Sequence, residues 1–286
     1  MQRPVVWWAG AVCVCSALAS ACGSSSSLGS QLTPSGVTVS SLAIFVNPPS
    51  VGGGAQATAT ATFSNGSTSP VASGFGTDTP SVATAATGGA ITGVSVGDVT
   101  IFVDYQGMRA SKKVRVLPSY AGAYLGTYTI GSCVATGGFV STDPAANFCT
   151  EFTTGRVLQM ALQNTQSADL TTVTGLFRLG SLQGSGNGTI SSVGALAYAG
   201  AVVGSTTRMD FRNFSATSPA PGRIAGSFDQ VWTDSANTGS AIVTCTNMDM
   251  TRQSSALATA AAPLAVRAWD PVSVASRILR DVRMIQ

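Results

Sequence analysis

Cysteine is the residue type best suited to chemistry in this chain of 286 residues, because histidine is absent and Glu151 is its single glutamate. The cysteines form an N-terminal group and a later group: Cys13, Cys15 and Cys22, then Cys133, Cys149 and Cys245. A thiol becomes a strong nucleophile when a base such as histidine activates it, and histidine is also the commonest metal ligand. We therefore expect no enzymatic activity, no catalytic residue, no metal site and no cofactor, and we assign the cysteines to lipidation and disulfide formation.

Residues 1–21 have the features of a secretory signal peptide. Arg3 precedes an apolar run over residues 5–18, and small residues then lead to Cys22. The run is shorter than the roughly 20 residues that span a bilayer. The sequence LASAC at 18–22 resembles a bacterial lipobox, which implies cleavage before Cys22 and lipidation of that residue. The alternative is an ordinary signal peptide in which the cysteine is incidental.

The serine- and glycine-rich residues 22–36 predict a flexible tether after the lipid anchor. Gly23 follows the cysteine where inner-membrane lipoproteins carry an aspartate, and the resemblance therefore implies the outer membrane. We expect an exported, lipid-anchored protein of the bacterial cell envelope. Its first partner is then the membrane that holds the anchor.

The composition favours short strands and argues against nucleic acid as a partner. Charged residues make up 9% of the chain, against about 25% in typical soluble domains. The net charge of +3 is small, whereas nucleic-acid binding requires a concentrated basic surface. A chain rich in Ala, Gly, Ser, Thr and Val predicts an all-β protein with many turns.

Residues 37–117 predict a β-sandwich of short strands. Apolar and polar residues alternate over 57–63, which is typical of a strand with one buried face. The sequence SNGS at 64–67 predicts the turn that follows. Further β-branched runs at 99–103 and 113–117 predict the last two strands.

The same region resembles a known family. The sequences TPSVAT at 79–84, GAITGVSVG at 89–97 and VTI at 99–101 are similar to the bacterial Ig-like group 2 domain, and Phe75 lies near the place of its usual tryptophan. The resemblance implies an Ig-like sandwich of the invasin and intimin type. It further implies a role as a spacer or as an adhesion module.

Residues 121–252 predict a second β domain made of a meander of eight segments. The segments are separated by Gly-, Ser-, Asn- or Pro-rich connections, of which 183–188 is the richest in glycine: 126–133, 156–166, 170–180, 186–193, 195–203, 208–217, 223–233 and 240–252. Eight antiparallel strands can close into an up-and-down barrel, which removes both exposed edges. We therefore predict a lipocalin-like barrel, with a second β-sandwich as the alternative.

Large apolar residues at alternate positions of these segments predict the interior of the barrel. They are candidates to line a cavity for a small apolar ligand: Met160, Phe177, Phe211, Phe228 and Trp232. The preferred interpretation is that these residues form a packed core, and a ligand cavity is the alternative.

Three cysteines remain for one disulfide once Cys22 is lipidated. Cys133–Cys149 would close a short loop and is the preferred pair. Cys133–Cys245 stays open, because the first and last strands of a closed barrel are neighbours.

Residues 253–286 predict a linker followed by an amphipathic helix. Val274, Ile278 and Val282 recur at helical spacing with arginines between them. Such a helix could touch anionic lipid. The preferred interpretation of this tail is a helix that caps the barrel or a frayed end, and contact with lipid is the alternative.

Two functions fit these features, and neither is enzymatic. In the first, the Ig-like module is a spacer or an interaction domain for the distal β domain of a cell-envelope lipoprotein, whose partner is an unknown protein or surface. In the second, the barrel is a carrier or sensor of a small apolar ligand.

Overall fold

The computed structural model describes residues 36–254 with short gaps, which are 145–146, 181, 205–206 and 236–237. Val39 and the described residues after it belong to one compact unit. The predicted signal peptide, Cys22, most of the tether and the C-terminal helix lie outside the described residues. As far as this part of the chain is described, no helix is long and apolar enough to cross a membrane.

Residues 39–116 form two antiparallel sheets. Their strands are, in chain order, β1 (Val39–Val46), β2 (Gly54–Phe63), β3 (Thr68–Val71), β4 (Phe75–Thr77), β5 (Ala83–Ala85), β6 (Ala90–Gly93), β7 (Gly97–Tyr105) and β8 (Met108–Val116). One sheet has the order β1-β2-β6-β5 with β3 beside β2, and the other has the order β4-β7-β8.

The alternation predicted for the second strand is confirmed, because Ala57, Ala59 and Ala61 are buried between exposed threonines. The two sheets touch where the buried Phe75 ring approaches Gly89, since a Cβ on that glycine would lie 3.3 Å from the ring. Membership of the Ig-like family stays a prediction.

Residues 122–252 form a closed barrel of eight antiparallel strands. In chain order these are β9 (Gly122–Ala135), β10 (Val157–Gln166), β11 (Thr172–Leu179), β12 (Leu182–Ile190), β13 (Leu196–Val203), β14 (Thr207–Thr217), β15 (Arg223–Asp234) and β16 (Ser240–Arg252). Each strand pairs with the next along the chain, and β16 pairs with β9 to close the ring. The predicted up-and-down barrel is confirmed, and the alternative of a second sandwich is wrong.

One part of that prediction is also wrong, because residues 183–188 are not a connection. They lie within β12, in which glycines at 184, 186 and 188 alternate with exposed polar residues. The glycines face the interior, where the rings of Phe177 and Tyr198 occupy the space that larger side chains would need. Because glycine has no side chain, the residue pattern of this strand does not indicate which of its faces points into the core.

The connection between β9 and β10 contains the only helical turns among the described residues. A 3₁₀ turn spans Gly137–Phe139, and a short helix α1 spans Phe148–Glu151. Both lie at the end of the barrel where β9 stops and β10 starts. The chain enters β9 at the opposite end, from the linker at residues 117–121.

Candidate functional site

The five residues predicted to line a cavity all lie inside the barrel. Met160, Phe177, Phe211, Phe228 and Trp232 are each at most 2% exposed. The ring centroid of Phe211 lies 4.2 Å from that of Phe177 and 4.9 Å from that of Phe228. The structure therefore brings three of the predicted phenylalanines into direct contact, and their rings occupy the middle of the barrel.

Trp232 lies at the end of the barrel, where it meets residues that sequence reasoning missed. Phe148 and Phe152 approach its ring with centroid distances of 5.4 and 6.4 Å, and Phe139 lies 5.5 Å from Phe148. We call Phe139, Phe148 and Phe152 the aromatic plug, since all three are buried over this barrel end. The feature of the sequence that could have indicated the plug is the presence of three phenylalanines in one loop beside Cys149.

A disulfide attaches the plug to the barrel wall. It joins Cys133 in β9 to Cys149 in α1, with the two Cα atoms 5.5 Å apart. Asn147 caps α1, because its Oδ1 accepts a hydrogen bond from the backbone N–H of Cys149 at 3.1 Å. The structure thus contains the preferred of the two predicted pairs.

Cys245 is a free thiol buried in the barrel interior. Burial raises the pKa of this thiol, so that it stays protonated at neutral pH. The Nε2 of Gln230 donates to its sulfur at 3.4 Å. A protonated, inaccessible thiol is a poor nucleophile.

Gln230 is the centre of a polar network that the sequence did not reveal. Its side chain is fully buried, its Nε2 donates to the hydroxyl of Tyr128 at 3.1 Å, and its Oε1 accepts from Nε1 of Trp232 at 3.2 Å. Burial raises the pKa of Tyr128 and keeps its hydroxyl neutral. Each side chain of this network thus has a hydrogen-bond partner within the protein.

The linker covers the opposite end of the barrel. Leu117 is part of the barrel core, and the hydroxyl of Tyr120 donates to the carbonyl of Gly194 at 2.7 Å. Gln166 holds the linker from the barrel side, because its Oε1 accepts from the backbone N–H of Tyr120 at 2.8 Å and its Nε2 donates to the carbonyl of Pro118 at 3.1 Å. Both ends of the barrel are therefore covered by the chain itself.

No family model and no curated protein matches the chain. Across the described ranges, no group of three or more Cys, Asp or Glu side chains is placed to hold a metal ion.

Aspartates on the outside of the strands form ion pairs with neighbouring arginines. Asp98 accepts from Arg115 at 2.5 Å, and this bond with a second one from Lys113 lowers the pKa of the carboxyl. Asp249 and Arg223 form a similar pair. The pKa of each of these paired carboxyls is lowered, whereas a carboxyl that acts as a general acid near neutral pH needs a raised pKa.

Among the described residues, two concave surfaces lie outside the barrel interior. A cleft of about 450 Å³ lies where residues 50–53 and 94–96 meet the linker and residues 218–222. A shallow groove of about 900 Å³ crosses the outer face of β12 to β15, over a floor of small residues at 185–187 and 199–201.

Proposed function

We propose that this protein is a non-enzymatic lipoprotein of the bacterial cell envelope that binds its partner through the outer surface of the barrel. The Ig-like β domain holds the barrel away from the membrane to which Cys22 is attached. The observation that carries this proposal is the packing of the barrel interior. Phe177, Phe211 and Phe228 fill its middle, and the plug and the linker cover its ends.

The way in which the linker is held supports the role of a spacer. A spacer has to fix the position of the domain that it carries, and here the linker is bonded to the barrel by Gln166 and Tyr120. Leu117 also accepts a backbone hydrogen bond from Val51 of the preceding domain at 3.0 Å. Both domains are thus tied to the same five-residue segment, which favours one fixed arrangement over a loose tether.

Carriage of a small ligand is the second candidate function. A large apolar ligand would have to displace the central phenylalanine rings, which argues against this role. One observation favours it, because Asn164 and Tyr198 bury polar atoms inside the barrel that have no hydrogen-bond partner among the described residues. A ligand could satisfy these atoms.

The membrane anchor is tested by metabolic labelling with a clickable fatty acid. We expect the wild-type chain to carry the label and to sediment with membranes, and Cys22→Ser to lose both properties. Cys15→Ser is the matched control and should keep them. A labelled Cys22→Ser chain would disprove the anchor.

The surface role is tested by photo-crosslinking in intact cells. A photoreactive residue in place of the exposed Asn187, in the outer groove, should yield a discrete adduct with one envelope component. The same residue in place of the exposed Thr189, two positions along β12 and outside the groove, is the control. Equal adducts from both positions, or none from either, would contradict a specific surface site on this face.

A further inference from the structure

Thr207 in β14 is one of the buried polar side chains inside the barrel that have no hydrogen-bond partner within the described part of the chain. Two others lie over neighbouring glycines of β11 and β12. They are the amide of Asn164 in β10 and the hydroxyl of Tyr198 in β13, and each residue is 4% exposed. Buried polar groups are normally paired with protein or with ordered water, because leaving them unpaired costs free energy. These atoms therefore mark a place where something else forms hydrogen bonds.

Neighbouring glycines bring the two side chains toward each other. Asn164 pairs in register with Gly175, and Gly175 pairs with Gly186 on the next strand. The Oδ1 of Asn164 occupies the space that a Cβ on Gly175 would fill. The phenol end of Tyr198 lies over Gly186, since a Cβ there would be 2.8 Å from Cζ.

The ring of Tyr198 lies over the glycines of β12. Tyr198 pairs in register with Gly188, and a Cβ on that glycine would lie 3.1 Å from Cδ2 of the ring. The ring thus extends over Gly188 and Gly186, and Gly186 is the register partner of Gly175, over which the Asn164 amide lies. No hydrogen bond joins the two polar groups to each other or to another described residue.

We infer that Asn164 and Tyr198 form an internal binding site for one small neutral hydrogen-bonding group, which both side chains contact. The group is a water molecule or the hydroxyl or carbonyl of a small ligand. The apolar residues of the barrel interior favour a neutral group, because burying an isolated charge among them costs free energy. Burial also raises the pKa of Tyr198 to about 12, so its hydroxyl can both donate and accept.

Thermal unfolding of the full chain tests whether the site is occupied. Tyr198→Phe removes one hydroxyl and little volume, and Asn164→Leu replaces the amide by a side chain of similar size. If both residues share one bound group, Tyr198→Phe lowers the Tm by about 2–4 °C. The double variant then loses less than the sum of the single losses, because either change already breaks the bridge.

Tyr120→Phe is the matched benchmark, because it removes a buried hydroxyl with a known protein acceptor, the carbonyl of Gly194. A Tm loss for Tyr198→Phe similar to that of the benchmark supports the site. An unchanged or higher Tm for Tyr198→Phe, with additive effects in the double variant, would overturn it, since removing an unpaired hydroxyl relieves a cost.

The two sources of the bound group are distinguished by native mass spectrometry and by NMR. A mass adduct on the wild-type chain that is lost in the double variant identifies a small ligand. No adduct, but magnetisation transfer from long-lived water to the Asn164 amide protons, identifies water. Absence of both signals would contradict the inference whatever the Tm values show.

Discussion

Phe177 and Gly184 are direct partners across the β11–β12 hairpin, and the phenyl ring lies in the space that a side chain on residue 184 would occupy. The outside of the N-terminal sheets repeats this arrangement. There Phe102 pairs with Gly76, its ring covers the glycine, and the guanidinium of Arg109 lies 4.1 Å above the ring centroid. In both places, the absence of a Cβ makes room for an aromatic ring on the neighbouring strand.

A methyl group at position 184 should therefore destabilise the barrel. Gly184→Ala brings a Cβ against Phe177 and against the backbone carbonyl of Ala201, and we expect a loss of about 1–3 kcal/mol in the free energy of unfolding. Urea denaturation measures it. Ser185→Ala changes the exposed neighbour and should stay within about 0.5 kcal/mol of wild type. Equal effects of the two variants would show that the ring does not pack on the glycine.

Removing the central ring should create a dry cavity. Phe211→Ala deletes the side chain that contacts both Phe177 and Phe228, and such truncations cost about 3–5 kcal/mol. We expect the variant to bind benzene or xenon, as apolar cavities do, and the wild-type protein to bind neither. Leu176→Ala, at an outward position with 38% exposure, is the control. Binding of benzene by the wild type would refute a filled interior and favour ligand carriage.

The disulfide should stabilise the barrel by holding the plug. It closes a loop with a sequence separation of 16, and loops of this size give about 3 kcal/mol. We expect Cys133→Ser combined with Cys149→Ser to lower the Tm and to abolish its sensitivity to reductant. The free thiol of Cys245 provides the internal control, since it should be alkylated only after unfolding. Peptide mapping that finds Cys133 linked to Cys245 would contradict the structure.

Stability should fall in alkaline solution. Burial raises the pKa of Tyr198 from 10.0 to about 12 and also raises those of Tyr120, Tyr124 and Tyr128. Between pH 10 and pH 12 the unfolded chain therefore binds fewer protons than the folded one, and the free energy of unfolding decreases as the pH rises. Below pH 10 the tyrosines are protonated in both the folded and the unfolded chain, so their contribution to the free energy of unfolding is fully present.

Thermal unfolding across this range, with phenolate absorbance recorded alongside, checks the alkaline effect. Tyr198→Phe should show a shallower decrease than wild type, because one of the buried phenols is missing. A pH-independent Tm up to pH 12 would be incompatible with four buried tyrosines.

Much of the barrel could be predicted from the sequence, because the alternation of apolar and polar residues can be recognised within a single strand. The segment predicted at 223–233 corresponds to β15 at Arg223–Asp234, and the one at 240–252 matches β16 at Ser240–Arg252. The inward positions of Met160, Phe211 and Trp232 followed from the same alternation. The preferred cysteine pair followed from its short loop.

Only the tertiary structure decided which residues meet inside the barrel. The plug phenylalanines lie in a loop without periodicity, and the glycines of β12 have no side chains from which a face can be inferred. Three buried side chains carry polar groups, and their burial depends on neighbours from other strands: Asn164, Tyr198 and Gln230. Alternation identifies the residues that share one face of a strand, whereas closure of the sheet determines what lies opposite them, and contacts across the barrel join residues far apart in the chain.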